Sequence, residues 1–247
     1  MAFVLPAVLA LVAAASFFSG IFGVAGGMIL MGGLVYLLPV SQAMLVHGVA
    51  QFVSNGARVL QWRAFIDIRL VAWFLGGSAA CVAILAFVRF VPSPTLVLFL
   101  LGASALVILA MPDRIAPKIT HPPVAVVVGF LAAGLMLTAG VSGTFIDQFF
   151  ARAGLDRRAN IATKATMQTV LHAVKIIYFA GIAPYAVDDT LLLILALVPL
   201  VAAVGSRLGG IVLLRMSDTQ FYWWTRRIVF CVGVLYVAIA LKRTFVG

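Results

Sequence analysis

The sequence predicts an all-α polytopic membrane protein with about eight to ten transmembrane segments in two homologous, inverted repeats, each with a glycine-broken first segment. Three observations carry that prediction. Hydrophobic residues make up 64% of the 247-residue chain and charged residues 10%, against roughly half and roughly a quarter in a soluble domain. The apolar residues fall into runs close to the ~20 that cross a bilayer as a helix, and the runs recur along the whole length. A shift of 117 residues lays the second half on the first without a gap. Gly140 then falls on Gly23, Gly143 on Gly26, Gln168 on Gln51 and Lys175 on Arg58. A glycine pair, a glutamine and a base in one register point to internal duplication.

The runs can be justified in order. The first, 3–22, lacks the positive start of a cleaved signal and reads as a membrane segment. Glycines at 20, 23, 26 and 27 separate it from 26–39. Segment 42–62 carries a polar stripe and ends in a basic, Trp-containing loop; 70–90 and 95–111 are plain apolar runs. The stretch MPDRIAPKITHPP, 111–123, holds four prolines and three charges and divides the chain. Residues 1–112 form the first repeat, 113–123 the linker and 124–247 the second repeat. The second repeat reads as 124–141, 143–151, 159–181, 190–214 and 226–243.

The formal net charge is +10. Its bases sit at the ends of apolar runs, where membrane proteins place loop charges, so nucleic acid is not an expected partner; the bilayer is. Arg58, Arg63 and Arg69 flank the loop after 42–62, whereas the matching loop of the second half, Pro184 to Asp189, is acidic. Arg152, Arg157 and Arg158 precede 159–181, where the first half has no charge. With basic loops cytoplasmic, the halves run in opposite directions and both termini lie outside; Lys242 and Arg243 near the C-terminus oppose that orientation. The alternative is eight plain spans in two parallel halves.

Cys81 and Cys231 lie in apolar runs with no CxxC partner, which excludes a cysteine metal site by spacing. No HExxH, phosphate loop or nucleophile elbow occurs, so neither an enzyme, nor a cofactor, nor a self-contained ATP-driven pump is expected. Trp62, Trp73, Trp223 and Trp224 read as interfacial anchors, Arg207 as a base reaching the cytoplasmic interface, and His121 as solvated in the linker.

Segment SFFSGIFGVAGGMILMGGLVYL and the following SQAMLVHGVAQFVSNGARVLQWRAFIDIRL resemble the first half of the sulfite exporter TauE/SafE family, small duplicated membrane proteins. Gly20, Gly23, Gly26 and Gly27 stand where that family has its glycine-rich stretch, although position 28 is Met. TAGVSGTFIDQFF and NIATKATMQTVLHAVKIIYF resemble the second half, with Thr144 and Phe145 where further glycines are common. The resemblance implies transport of sulfur-containing anions across the bacterial cytoplasmic membrane. Substrate, direction and coupling ion, a proton or sodium, stay open, as does a homo-oligomer.

The candidate site follows from two patterns. Broken helices offer free N–H groups and a positive dipole end to an anion, and transporters bind substrate where two such breaks meet. The breaks expected here are Gly26 with Gly27 and Ser142, Gly143 with Thr144. Next, His47, Gln51, Asn55 and Arg58 recur at spacings of 4, 4 and 3, as do Lys164, Gln168, His172 and Lys175. Each set forms one helical stripe. Such residues are costly in hydrocarbon and should line a path or hold the bundle together. Asp147, the one acid inside an apolar run, is the candidate for a coupling ion or for pairing Lys164. The leading expectation is a secondary transporter of a small anion such as sulfite or a sulfonate. The alternatives are a transporter or channel for another anion, or a non-transporting scaffold subunit.

Overall fold

The computed structural model describes residues 3–112, 117–150, 153–182 and 187–245. Linker residues 113–116, Arg152 and Pro184 lie outside the described residues. All the regular structure described is helical: α1 Val4–Phe22, α2 Val24–Leu37, α3 Val40–Trp62, a 3₁₀ turn Arg63–Phe65, α4 Ile68–Phe87, α5 Pro94–Ala110, α6 Pro122–Thr138, α7 Gly143–Phe150, α8 Arg157–Ile182, α9 Asp189–Leu213 and α10 Asp218–Phe245. The protein is a polytopic membrane protein. Helices α1, α4, α9 and α10 are each long and apolar enough to cross a bilayer. Helices α3 and α8 have the length, 23 and 26 residues, but carry the polar stripes. The eight residues of α7 rise only about 12 Å and cannot span.

Local chemistry sets the ends. Asp67, Ser93 and Asp188 cap α4, α5 and α9 by accepting from the backbone N–H of Leu70, Leu96 and Leu191, which satisfies an orphan donor at each N-terminus. Pro94 and Pro122 occupy the first turns of α5 and α6, where a missing N–H costs nothing. Helix α10 begins at Asp218, well before the expected 226. Ser217 Oγ accepts from Gln220 N while Gln220 Oε1 accepts from Ser217 N. That reciprocal S-x-x-Q box starts the helix ahead of its apolar run.

The first break is at Gly23, with φ 62°, and the second at Gly140, with φ 80°. These are the glycines that the 117-residue shift superposes. The expected position of the first break, Gly26 and Gly27, is corrected by this: both lie in the opening turn of α2. A side chain at Gly26 would collide with Ser19 and Ala15 of α1, and one at Gly33 with Leu11. Partner numbers fall as α2 numbers rise, so α2 folds back along α1 as a hairpin.

Packing is the same under exchange of the halves. Helix α1 lies on α9, with glycines at the crossing: Gly205 touches Ala13, and Gly209 touches Phe17 and Gly20. In the same way α6 lies on α4, with Gly77 against Val126 and Gly129 against Phe74. Small residues let backbones approach where lipid gives no hydrophobic drive. The remaining principal pairs join each helix to its own counterpart. Helix α3 packs on α8 from His47 beside Lys175 to Asp67 N on Thr163 Oγ1, an antiparallel run. Helix α5 packs on α10, with Gly102 against Gly233 and Ser93, Thr95 and Leu96 beside Ala240 and Thr244, also antiparallel. An axis that exchanges two antiparallel helices is perpendicular to both.

Candidate functional site

The antiparallel α3–α8 pair carries both stripes to one place. Their residue numbers meet near Gln51 and Gln168, so these two glutamines sit where the helices cross. Around them lies a cavity of about 650 Å³. The hairpin tip supplies Ser19 to Gly23 and Gly27; α3 supplies His47, Gln51, Asn55 and Arg58. The second break and α7 supply Val141, Ser142, Gly143, Thr144 and Asp147; α8 supplies Asn160, Lys164, Gln168 and His172. Helix α10 closes the wall with Phe221, Tyr222, Thr225 and Arg226. Of the residues expected at the site, Gly26 and Lys175 are absent from the lining. Gly26 is a packing residue of the hairpin. Lys175 is fully buried directly behind the floor.

The cavity is graded from rim to floor. At the rim Tyr222 is 65% exposed, and the side chains of Lys164 and Asp147 are 29% and 38% exposed. Lys164 Nζ stands 2.7 Å from Asp147 Oδ1, an ion pair whose alignment falls short of a hydrogen bond. Arg58 Nη1 donates to Asn55 Oδ1 at 3.1 Å, and Asn55 Nδ2 donates to the Gln51 carbonyl at 3.0 Å. On the floor His47 and His172 are 1% and 4% exposed, with ring centroids 5.6 Å apart.

Several polar groups on this wall have no protein partner. Ser142 Oγ and His172 Nδ1 are buried and unpaired. Among the described residues the side-chain amides of Gln51 and Gln168 also make no hydrogen bond to protein. A buried polar group left unpaired costs about 1–3 kcal/mol, so Ser142 Oγ and His172 Nδ1, with the two free amides beside them, mark a place where water or ligand completes the bonding. Among the described lining residues bases outnumber the one carboxylate, Asp147, which Lys164 already neutralises. The field in the cavity is therefore positive.

Behind the floor one chain of hydrogen bonds ties the two broken regions together. His47 Nε2 lies 3.0 Å from the Gly27 carbonyl. Lys175 Nζ lies 2.7 Å from His47 Nδ1 and 3.0 Å from the Gly140 carbonyl. A carbonyl only accepts, so Nε2 carries the ring proton, Nδ1 accepts, and Lys175 donates twice. Gly48 permits this approach, since a Cβ there would meet Ile176 Cγ1 at 2.8 Å and Lys175 Cε at 3.3 Å.

Sequence reasoning missed three contributors. Asn160 lines the cavity one turn before Lys164, and extending the spacing of four backwards along the stripe finds it. Phe221, Tyr222 and Thr225 were missed because α10 starts at Asp218, ahead of the expected 226. The Gly140 carbonyl carries no side-chain signal. Of the remaining singled-out residues, Arg207 and His121 are exposed, as are Trp73, Trp223 and Trp224, while Trp62 is half-buried beneath Arg158. Cys81 is buried and Cys231 exposed.

A family model described as Sulfite exporter TauE/SafE matches residues 8–240. No curated protein and no solved structure matches the chain.

Proposed function

The chain belongs to the sulfite exporter TauE/SafE family, which makes it an integral membrane transporter rather than an enzyme, and from that premise we propose that it is a secondary carrier of sulfite, a sulfonate or a related sulfur oxyanion across the bacterial cytoplasmic membrane. Family membership sets aside the scaffold alternative. One observation carries the choice of anion: a positively biased cavity between two helix breaks, lined by unpaired Ser142, Gln51, Gln168 and His172. Sulfite presents three oxygens that accept hydrogen bonds. Hydroxyl, amide and imidazole donors replace the water that such an ion loses on leaving solution.

The packing supports inverted repeats with boundaries near 1–112 and 124–247. Self-paired antiparallel helices are what a two-fold axis in the membrane plane produces. The arginine-rich end holds the α3 C-terminus and the α8 and α10 N-termini, with Arg63, Arg157, Arg158, Arg226 and Arg227. Placed in the cytoplasm, it makes the cavity open inward and puts both termini outside.

The test is flux. Purified protein in liposomes is expected to move labelled sulfite or 2-hydroxyethanesulfonate down its gradient, with excess unlabelled sulfite competing. The donors read oxyanion shape rather than sulfur, so acetate and phosphate enter as competitors. Movement of phosphate or acetate but of no sulfur acid would overturn the substrate assignment.

A further inference from the structure

The buried Lys175–His47 pair does work that substrate contact does not account for. Lys175 is fully enclosed, touches no ligand space, and has no carboxylate within 4.0 Å among the described residues. Its partners are His47 Nδ1 and the Gly140 carbonyl. His47 in turn faces the Gly27 carbonyl from α2 and the His172 ring from α8. Among the described residues no other titratable group reaches the pair: Tyr178 of α8 donates to the Leu85 and Phe90 carbonyls, and Tyr236 of α10 to that of Met28. Helix α6 carries none; Arg69 of α4 is exposed, and Cys81 lies against Gly134. Asp189 and Arg207 of α9 are exposed, and Asp147 of α7 is held by Lys164.

From this geometry we infer that His47 and Lys175 form the site of a coupling proton, and that its occupancy controls the tie between the two helix breaks. The inference rests on the carrier reading above. With His47 neutral, Nε2–H donates to Gly27, Nδ1 accepts from Lys175, and the chain is complete. A proton added at Nδ1 removes the only acceptor on that side of the ring. It also sets two cations face to face at 2.7 Å with no carboxylate between them. Repulsion at that distance in a buried site is large, so Lys175 withdraws from His47 and its hold on Gly140 is lost.

An anion in the cavity changes that balance. His47 and His172 form the cavity floor, so a bound oxyanion lies next to the protonated imidazole and offsets its positive charge. Proton and anion then favour each other's binding, and both are needed before the sealed end parts. Coupling of this kind is reciprocal. It sends the proton in the same direction as the anion. Asp147 is not required for the coupling, because its charge is already spent on Lys164 at the rim.

The experiment uses the full chain in liposomes with a pH-sensitive dye inside. The probes are 2-hydroxyethanesulfonate, too strong an acid to carry a proton near neutral pH, and sulfite, whose own buffering is matched by comparing wild type and variants at equal flux. Wild type is expected to acidify the lumen as anion enters. Lys175→Met and Lys175→Gln, both behind the floor and outside the cavity lining, are expected to keep anion-for-anion exchange while proton movement per anion falls by about tenfold or more, within the range of a coupling free energy. Lys175→Gln keeps a polar group for His47 and the Gly140 carbonyl, so it serves if Lys175→Met does not fold. A wild-type proton ratio in either variant overturns the inference, as does alkalinisation with anion entry or anion movement without protons in wild type. Wild-type protein that exchanges neither probe overturns the carrier reading itself.

Discussion

Arg58 and Lys175 occupy matching places in the two halves, yet they live in different surroundings. Lys175 is sealed, with His47, between two helix breaks. Arg58 lines the cavity beside Asn55, near the rim where Lys164 meets Asp147. The same contrast holds for His47 and its counterpart Lys164. Two stripes of equal spacing on two antiparallel helices would give equal ends if the halves had the same conformation. They do not, so a nearly symmetric scaffold is held in an asymmetric state. Carriers built from inverted repeats use that device: one side closed, the other open, and exchange of the two conformations to move the site across. The 117-residue shift specifies the exchanged state. Arg58 would be drawn toward the carbonyl of Gly23, and Lys164 toward that of Thr144, the counterparts of Gly140 and Gly27.

The largest expected effect separates packing from binding within one hairpin. Gly26→Val is expected to prevent folding, because the new side chain would enter the backbone of Ser19 and Ala15. Overpacking typically costs about 1–3 kcal/mol, and more where, as here, the neighbour is backbone that cannot move aside. Gly27→Ala comes closest to Gln51 Nε2, at 3.1 Å, a flexible side chain, with His47 Nε2 at an ordinary 3.8 Å, and is expected to yield folded protein with weakened anion binding. Thermal melting in detergent with size-exclusion profiles checks both. A folded, monodisperse Gly26→Val variant would return that glycine to the site.

A second test addresses the two ends directly. In a background with Cys81 and Cys231 replaced by serine, Lys164→Cys should react readily with a water-soluble thiol reagent, whereas Lys175→Cys should react only through rare opening. Saturating anion is expected to raise reaction at 175 and to lower it at 164. Equal rates at the two positions in anion-free protein would mean that the asymmetry is not a property of the protein in solution.

Much of this comparison was legible in the sequence, and the rest was hidden for physical reasons. Equivalence between halves shows as register, so Gly23 and Gly140 superposed before either was seen to take a positive φ. The stripes showed as spacing, because burial of polar groups forces them onto one helical face. Contact between halves does not show as register. His47 was matched with Lys164, its counterpart, whereas its partner is Lys175, which only the antiparallel crossing reveals. The break was placed at Gly26 and Gly27 because paired glycines suggest an interruption. In the structure Gly26 gives up its side chain for close packing against α1, and the interruption belongs to the single Gly23. The start of α10 was written in S-D-T-Q but lay outside the apolar run that defined the segment.

At the crossing itself the two halves should count equally, which makes the glutamines the internal control. Gln51→Leu and Gln168→Leu are each expected to weaken sulfite binding by about 1–3 kcal/mol, the scale of a hydrogen bond to a charged group. Isothermal titration of each variant measures this. A loss confined to one glutamine would show that the anion sits off the axis and belongs to one half.

The smallest effect belongs to the rim, and it sharpens the comparison most because it predicts a difference in kind. Arg58 bonds to Asn55, is only half-buried and lines an open cavity, so water and salt screen its field. Arg58→Gln should therefore cost about 1 kcal/mol or less in anion affinity, and the loss should shrink as ionic strength rises past the point where screening acts within about 10 Å. Lys175, sealed from solvent, has no such screening. Binding titrations of Arg58→Gln and Lys175→Met at low and high salt, with potassium chloride rather than an oxyanion as the added salt, separate the two. The affinity difference between Arg58→Gln and wild type should fade in high salt, while that between Lys175→Met and wild type should persist. Equal salt sensitivity would place both bases in the same screened environment and remove the distinction between an open and a sealed end.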